Sequence, residues 1–311
     1  MTISQLVNRF LNSYILVVLA ALALGIFFSK SVVFLASLST IFLAIIFFLS
    51  SLKIDLSKIK EESSNFLTVF VVNLVMLFAL PVAVYFLMDN FYPALLVPFF
   101  ILAVMPSGMT SPLLSEIVGG KQSLALLLTI STSLLAPFTV PFMIKAFIGA
   151  EISVNFWGMF STLATVIYIP FFLAQILKHF KRPLIEKISP SFKPISIFIL
   201  GCLITGVVAR QSDVIIRGFE NGGELLFYLL ALFVFFAFLH LIGYFTAFWR
   251  SHEDKVTVTV CITYMNFTLA IELANKFFPD PHILIPIILS VIPWAILLSP
   301  FGVLVKKLDK R

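Results

Sequence analysis

Chemistry in this chain has to come from a few polar residues set inside long apolar runs. From Val104 to Pro112 the sequence reads Val-Met-Pro-Ser-Gly-Met-Thr-Ser-Pro. Pro106 and Pro112 remove helix hydrogen bonds, while Ser107, Gly108, Thr110 and Ser111 place small groups and hydroxyl oxygens between them. Freed carbonyls and hydroxyls of this kind can coordinate a cation or a polar substrate group. The amides of the helix that restarts offer partial positive charge to an anion. A proline kink packed against neighbouring helices is the other reading of the same residues. A second stretch, Thr263-Tyr-Met-Asn-Phe-Thr268, has no Pro or Gly, and its Asn266 is either interhelical glue or a ligand for substrate or ion. Thr257, Thr259, Thr263 and Thr268 around it can bond to their own helix.

The titratable residues within apolar segments are few. Glu272 suits a proton carrier, because a carboxylate inside a bilayer is costly and is kept for a use. It also stands four residues before Lys276, the spacing of a helical ion pair near the interface. Glu116 with Lys121 has the same plain reading. His240 either titrates or bonds across helices as a packing residue. Met76 and Met265 read as adaptable packing or as pocket lining. No nucleophile with an adjacent base, phosphate-cradling glycine loop or metal-ligand cluster occurs, which argues against an enzyme. Cys202 and Cys261 both fall in predicted helices, so a structural disulfide is not expected.

The elements that must position these residues are membrane helices. Of the 311 residues, 60% are hydrophobic and 12% charged, with 36 Phe and a mean hydropathy of +1.10. That composition excludes an ordinary soluble fold and requires a lipid bilayer around the chain. Apolar windows predict ten helices, at about 14 to 28, 32 to 52, 66 to 88, 93 to 118, 122 to 147, 154 to 177, 194 to 209, 223 to 249, 256 to 278 and 282 to 305. The two polar stretches then fall in mid-membrane, in the fourth and ninth segments, where a broken helix survives only by lining a cavity. Secondary transporters build substrate sites in this way.

Alternating the tails and loops puts all but Lys30, Lys145, Arg210, Arg217 and Lys276 of the 21 Lys and Arg on one side. The positive-inside rule makes that side, with both termini, cytoplasmic in an inner or plasma membrane, and accounts for the net charge of +6 without a nucleic-acid partner. The first span follows Asn8 and Arg9 and resembles a signal peptide, but charge parity argues that it is kept. Lys53 to Asn65 suits a short helix lying on the cytoplasmic surface. The basic run from Lys178 to Lys187 divides the chain into five helices before and five after, and five being odd, homologous halves would be inverted. Leu134-Leu-Ala-Pro-Phe138 recurs as Leu297-Leu-Ser-Pro-Phe301, and Pro106 and Asn266 are separated by nearly the same interval. The repeats would run from about 10 to 150 and from about 151 to 308 within one transmembrane transporter domain.

At these stretches the chain resembles the bile acid:sodium symporter family over most of its length. That family's Pro-Gly-Gly-Thr-Ala-Ser-Asn is similar to Pro106-Ser-Gly-Met-Thr-Ser-Pro112, and its later Thr and Pro fall without a gap on Thr129 and Pro137. Its Gly-Met-Gln-Asn-Ser-Gly-Leu-Ala is similar to Thr263-Tyr-Met-Asn-Phe-Thr-Leu-Ala270. Gly243-Tyr244 matches a Gly-Tyr pair, with His240 where the family often has Asn. The resemblance implies an all-α protein with segments four and nine unwound and crossing. A core of segments 3 to 5 and 8 to 10 would move against a panel of segments 1, 2, 6 and 7, with substrate held behind the crossing.

The departures fall on the family's sodium ligands. Ser111 and Thr129 keep their oxygens, but Pro112 replaces an Asn, Ala125 a Ser, Met76 and Met265 two Gln, and Cys261 the Glu shared by both sodium sites. Sliding the ninth segment by one residue places Asn266 on the Gln but Ile262 on the Glu, so neither register restores the acid. Thioethers do not supply the hard oxygens that sodium needs. The expectation is a secondary transporter of a small organic anion or amphipathic acid, with no cofactor and no metal. The fold is then kept without the sodium coupling: transport is sodium-independent or uses H⁺ through Glu272, Glu116 or His240, while Ser111 and Thr129 are the oxygens left to a Na⁺ ion. The related arsenite exporters carry an Asn-Phe-Glu-Leu-Ala-Ile run similar to Asn266-Phe-Thr-Leu-Ala-Ile271, but also a Cys in the fourth segment that is absent here. A transporter-like sensor that binds ligand without flux is the reading from another class.

Overall fold

The computed structural model describes residues 14–54, 66–149, 155–213, 215–216, 222–278 and 280–308. The surface helix expected between Lys53 and Asn65 lies outside the described residues, apart from its first two positions. The described residues are helical, joined by short turns, with no strand longer than an isolated bridge. We label the helices α1 (Tyr14–Phe27), α2 (Ser29–Lys53), α3 (Phe66–Phe91), α4 (Pro93–Ala103), α5 (Ser111–Val118) and α6 (Gln122–Phe147). Then come α7 (Phe156–Ile188), α8 (Phe192–Arg210), α9 (Gly222–Thr246), α10 (His252–Thr263), α11 (Phe267–Phe277) and α12 (Pro281–Leu308).

Among the described residues, six helical stretches are long and apolar enough to cross a membrane: α2, α3, α6, α9, α12 and the run Phe156–Arg210 that joins α7 to α8. Their outward faces are studded with large apolar side chains, among them Phe66 and Phe91 on α3, each at least 75% exposed. A surface of that kind is stable against lipid and not against water.

The basic run between the sixth and seventh segments differs from its expectation. It was expected to be a loop, but α7 continues through it to Ile188, broken only at Lys181, where φ is −131° and ψ 31°. Straight-chain Lys, Arg and Glu are good helix formers, and Arg182 and Glu186 pair at 2.8 Å one turn apart. The run of 55 residues would measure about 80 Å as a straight helix, against a hydrocarbon core of about 30 Å.

The chain divides into two compact units. One comprises the described residues of Met1–Ile54 and Ala164–Phe227, the other those of Asp55–Leu163 and Tyr228–Arg311. In the first, α8 packs closely along α1 and α2 because small residues let the backbones approach. A Cβ on Gly201 would stand 2.8 Å from Val17 Cγ1, and one on Gly206 would stand 2.4 Å from the Ala36 amide nitrogen. The end of α2 is capped by side chains of α7: Gln175 donates to the Ser51 carbonyl (3.0 Å) and Lys178 to that of Ile54 (2.6 Å). The Ser51 carbonyl also accepts from the Ile54 amide at 3.2 Å, so α7 adds a second donor there and supplies a side-chain partner to the carbonyl just past the helix end.

In the second unit, α6 lies against α3, α5 and α10. Asn73 on α3 donates to Ser131 on α6 at 2.9 Å. The rings of Phe99 on α4 and Phe235 on α9 lie 4.8 Å apart, tilted by 45°. Gly243 on α9 meets α10 so closely that a Cβ there would lie 2.6 Å from Thr259 Cα.

Replacing Gly206 with Val should destabilise the first unit by about 1 to 3 kcal/mol or more through overpacking. It should be seen as a lower melting temperature in detergent. Gly223→Ala, whose added Cβ meets nothing within 4 Å, should leave the melting temperature where it was.

Candidate functional site

Both polar stretches interrupt their helices, and the interruptions meet. α4 stops at Ala103 and α5 begins at Ser111; α10 stops at Thr263 and α11 begins at Phe267. Across the gap an antiparallel bridge pairs Ser107 with Met265. The Gly108 amide donates to the Tyr264 carbonyl at 2.9 Å, and the Asn266 amide donates to the Pro106 carbonyl at 2.8 Å. Ser111 Oγ donates to the same Tyr264 carbonyl at 3.1 Å. Each break thus supplies the hydrogen bonds that the other lost. An unpaired backbone group in a bilayer would cost several kcal/mol.

Each residue type has a local reason. Gly108 is required because a Cβ there would lie 2.5 Å from the Tyr264 oxygen. Pro112 sits in the first turn of α5, where a missing N–H costs nothing. Asn266 is the N-cap of α11: its Oδ1 accepts from the Leu269 amide at 3.1 Å and from the Thr268 hydroxyl at 2.7 Å. That side-chain oxygen is thus engaged within its own helix. Thr257 and Thr259 bond the carbonyls one turn back, those of Glu253 and Lys255. Thr263 Oγ1 is buried with no partner among the described residues.

Behind the bridge lies a shell of hydroxyl and sulfur groups. The Ser107 amide donates to Thr132 Oγ1 at 3.2 Å, and Ser107 Oγ lies 3.2 Å from Thr129 Oγ1. Cys261 Sγ faces the Ala125 carbonyl at 3.9 Å, and the Ser107 hydroxyl lies beside it. Ser107, Ser111, Thr129, Met76, Cys261 and Met265 are all at most 1% exposed. Thr110 and Pro112 are half-buried. Among the described residues no group of three or more His, Cys, Asp or Glu is placed to hold a metal ion. The groups around Ser107 are hydroxyls, a backbone carbonyl and a thiol, all of them uncharged.

The titratable candidates scatter. Glu116 is exposed on α5. Its suggested partner Lys121 pairs with Asp254 Oδ1 at 2.9 Å, which brings the α5–α6 turn onto the start of α10. Glu272 is 2% exposed within α11, and Lys276 donates to Thr162 Oγ1 at 2.9 Å. His240 reaches the crossing: its Nε2 lies 3.2 Å from the Tyr264 hydroxyl.

Two residues passed over in the sequence matter here. Tyr264 has no role that its residue type announces, yet its carbonyl accepts from both Gly108 and Ser111. A backbone acceptor leaves no trace in residue type. Asp254 is 1% exposed and is held by Lys121 and by Arg250 at 2.8 Å. Its signal was legible, since Ser251-His-Glu-Asp254 has the Ser-x-x-acid spacing of a helix start, and Ser251 Oγ accepts from the Asp254 amide at 3.3 Å.

Comparison with known proteins gives this geometry a context. The sequence profile of the SBF-like CPA transporter family matches residues 8–298. Uncharacterized protein YbaS of Bacillus subtilis is 27% identical over 215 residues, 67% of this chain and 68% of that protein. Probable sodium/metabolite cotransporter BASS5, chloroplastic, of Oryza sativa is 27% identical over 172 residues, 54% of this chain and 42% of that protein. Sodium/bile acid cotransporter 7 of Danio rerio is 26% identical over 187 residues, 57% of this chain and 54% of its own length. The matched region therefore spans about half of each cotransporter.

Asn266→Ala should cost about 1 kcal/mol through loss of the cap, and Asn266→Ser, which keeps a capping oxygen, less. Gly108→Ala should cost more than either, because the bridge must open to admit the methyl group. Melting temperatures in one detergent should fall from Asn266→Ser to Asn266→Ala to Gly108→Ala; equal values would mean that the bridge tolerates a Cβ at position 108.

Proposed function

We propose that this chain, which belongs to the SBF-like CPA transporter family, the bile acid:sodium symporter type that its motifs resemble, and is an integral membrane transporter with a small-molecule substrate, moves a small organic anion or amphipathic acid by alternating access, without sodium as the coupling ion. The observation that carries the proposal is the crossing of α4–α5 with α10–α11. Two half-helices, α5 and α11, begin at this point, and their N-terminal amides favour an anionic group. The names of the plant and fish relatives, cotransporters of metabolites or bile acids with sodium, support the substrate class. The replacement of the family's acid by Cys261 and of its amides by Met76 and Met265 supports the loss of sodium.

Ten spans in two inverted halves complete the proposal, with both termini in the cytoplasm of an inner or plasma membrane. The length of Phe156–Arg210, with its basic residues near the middle, supports counting it as two spans. The interrupted pairs α4–α5 and α10–α11 and the short apolar helix α1 supply the others. The division of the chain into separately packed units supports a mechanism in which the unit carrying the crossing moves as one body.

A thermal-shift screen of organic acids should find carboxylates or sulfonates that raise the melting temperature equally in Na⁺ and K⁺ buffers. A ligand at one hundred times its Kd stabilises by about 2.7 kcal/mol. In proteoliposomes the same compounds should show counterflow, and Ser111→Ala should slow it severalfold in a protein that remains monodisperse. Sodium-stimulated uptake that persists when the proton gradient is collapsed would overturn the sodium-independent part. Stabilisation without counterflow would make the protein a sensor.

A further inference from the structure

His240 and His252 are held in the same way. His240 Nδ1 lies 2.7 Å from the Phe236 carbonyl. A carbonyl only accepts, so Nδ1 carries the proton, and Nε2 of the neutral ring accepts from the Tyr264 hydroxyl at 3.2 Å. His252 Nε2 donates to the Val305 carbonyl at 3.1 Å, and its Nδ1 accepts from the Tyr244 hydroxyl at 3.2 Å. His240 and Tyr244 are one turn apart on α9, a rise of about 6 Å. Phe301, whose ring lies 4.7 Å from His240, and Val305 are one turn apart on α12. Two histidine–tyrosine pairs therefore lie along the same neighbouring helices, one at the α9–α10 turn and the other at the crossing.

The pair at the crossing is mechanically placed. Tyr264 is fully buried, and its ring meets the edge of Trp294 at 5.6 Å. Its carbonyl is the acceptor for both Gly108 and Ser111. If Nε2 gains a proton, it becomes a donor facing a hydroxyl that was also donating. The Tyr264 O–H must turn or the ring must move, and either change is felt at the residue that holds the bridge.

We propose that His240 is a proton-binding site linked to the crossing, and that the proton is the coupling cation of this transporter; this rests on the transport function proposed above. The other titratable and charged groups around it are otherwise engaged or distant. On α9, Tyr244 belongs to the second pair. On α10, Cys261 faces the Ala125 carbonyl and Asp254 is held by Lys121 and Arg250. Lys255 lies over the Tyr244 ring at 5.7 Å, and its charge opposes a second cation at His252. Glu272 is buried two turns beyond the break, Glu116 is exposed on α5, and Lys306 and Lys307 are exposed past Val305 on α12.

The test uses no substrate. Trp157→Phe and Trp249→Phe leave Trp294 as the sole tryptophan of the three, and its emission is followed in lipid nanodiscs from about pH 5 to about pH 9, the range in which histidine titrates. A single sigmoidal step is expected. It should be lost in His240→Asn and His240→Gln and in Tyr264→Phe, each checked for monodispersity, and kept in His252→Asn. A flat profile in the parent protein, or a step that survives both His240 variants, overturns the proton site while leaving the transport function standing. A step of the expected kind in a protein without counterflow retires the transport function and leaves the site.

Discussion

Everything in the second unit is arranged around one requirement: backbone exposed by two broken helices must find partners where water cannot supply them. Two hydrogen bonds, Gly108 to Tyr264 and Asn266 to Pro106, meet it by joining one break to the other. Each broken helix is therefore stable only in the presence of its counterpart. The bridge is a single rung of antiparallel pairing within a helical protein, and it leaves the starts of two half-helices side by side.

The surrounding residues keep that rung in register. Thr132 accepts from the Ser107 amide, Asn266 caps the helix it begins, and the Asp254 carboxylate, paired with Lys121 and Arg250, holds the start of α10 against the α5–α6 turn. Removing one partner of so deeply buried an acid would leave an uncompensated charge, which is why such pairs come as complete sets. Close packing at Gly243 and Gly108 brings α9 and α10, and then the two breaks, within backbone distance.

The side chains left at the crossing are neutral. Hydroxyls, a thiol and thioethers line the interior where the resemblance implies carboxamides and a carboxylate. Two sodium ions side by side would have no charged group among these side chains to offset their repulsion, whereas a proton needs one lone pair and a partner able to reverse its hydrogen bond. His240 with Tyr264 is such a couple, and its tyrosine is part of the bridge itself.

Much of this was legible in the residues alone. Long apolar windows set the helical class, and Pro106, Gly108 and Pro112 marked one interruption, because proline and glycine act on the backbone of their own segment. Asn266 marked the other only by being polar among apolar neighbours, and its capping role appeared once the restart of α11 was seen. Helix continued through the basic run at Lys178–Lys187 because charge tells of water and not of a loop. What only the tertiary structure decided were the partners: that Gly108 meets Tyr264, that Lys121 takes Asp254 and that His240 reaches the crossing. Hydrogen bonding between backbones is chemically the same at every residue, and contacts between distant segments depend on how helices pack. Sequence pattern can show that a polar group needs a partner, but only the fold selects which one.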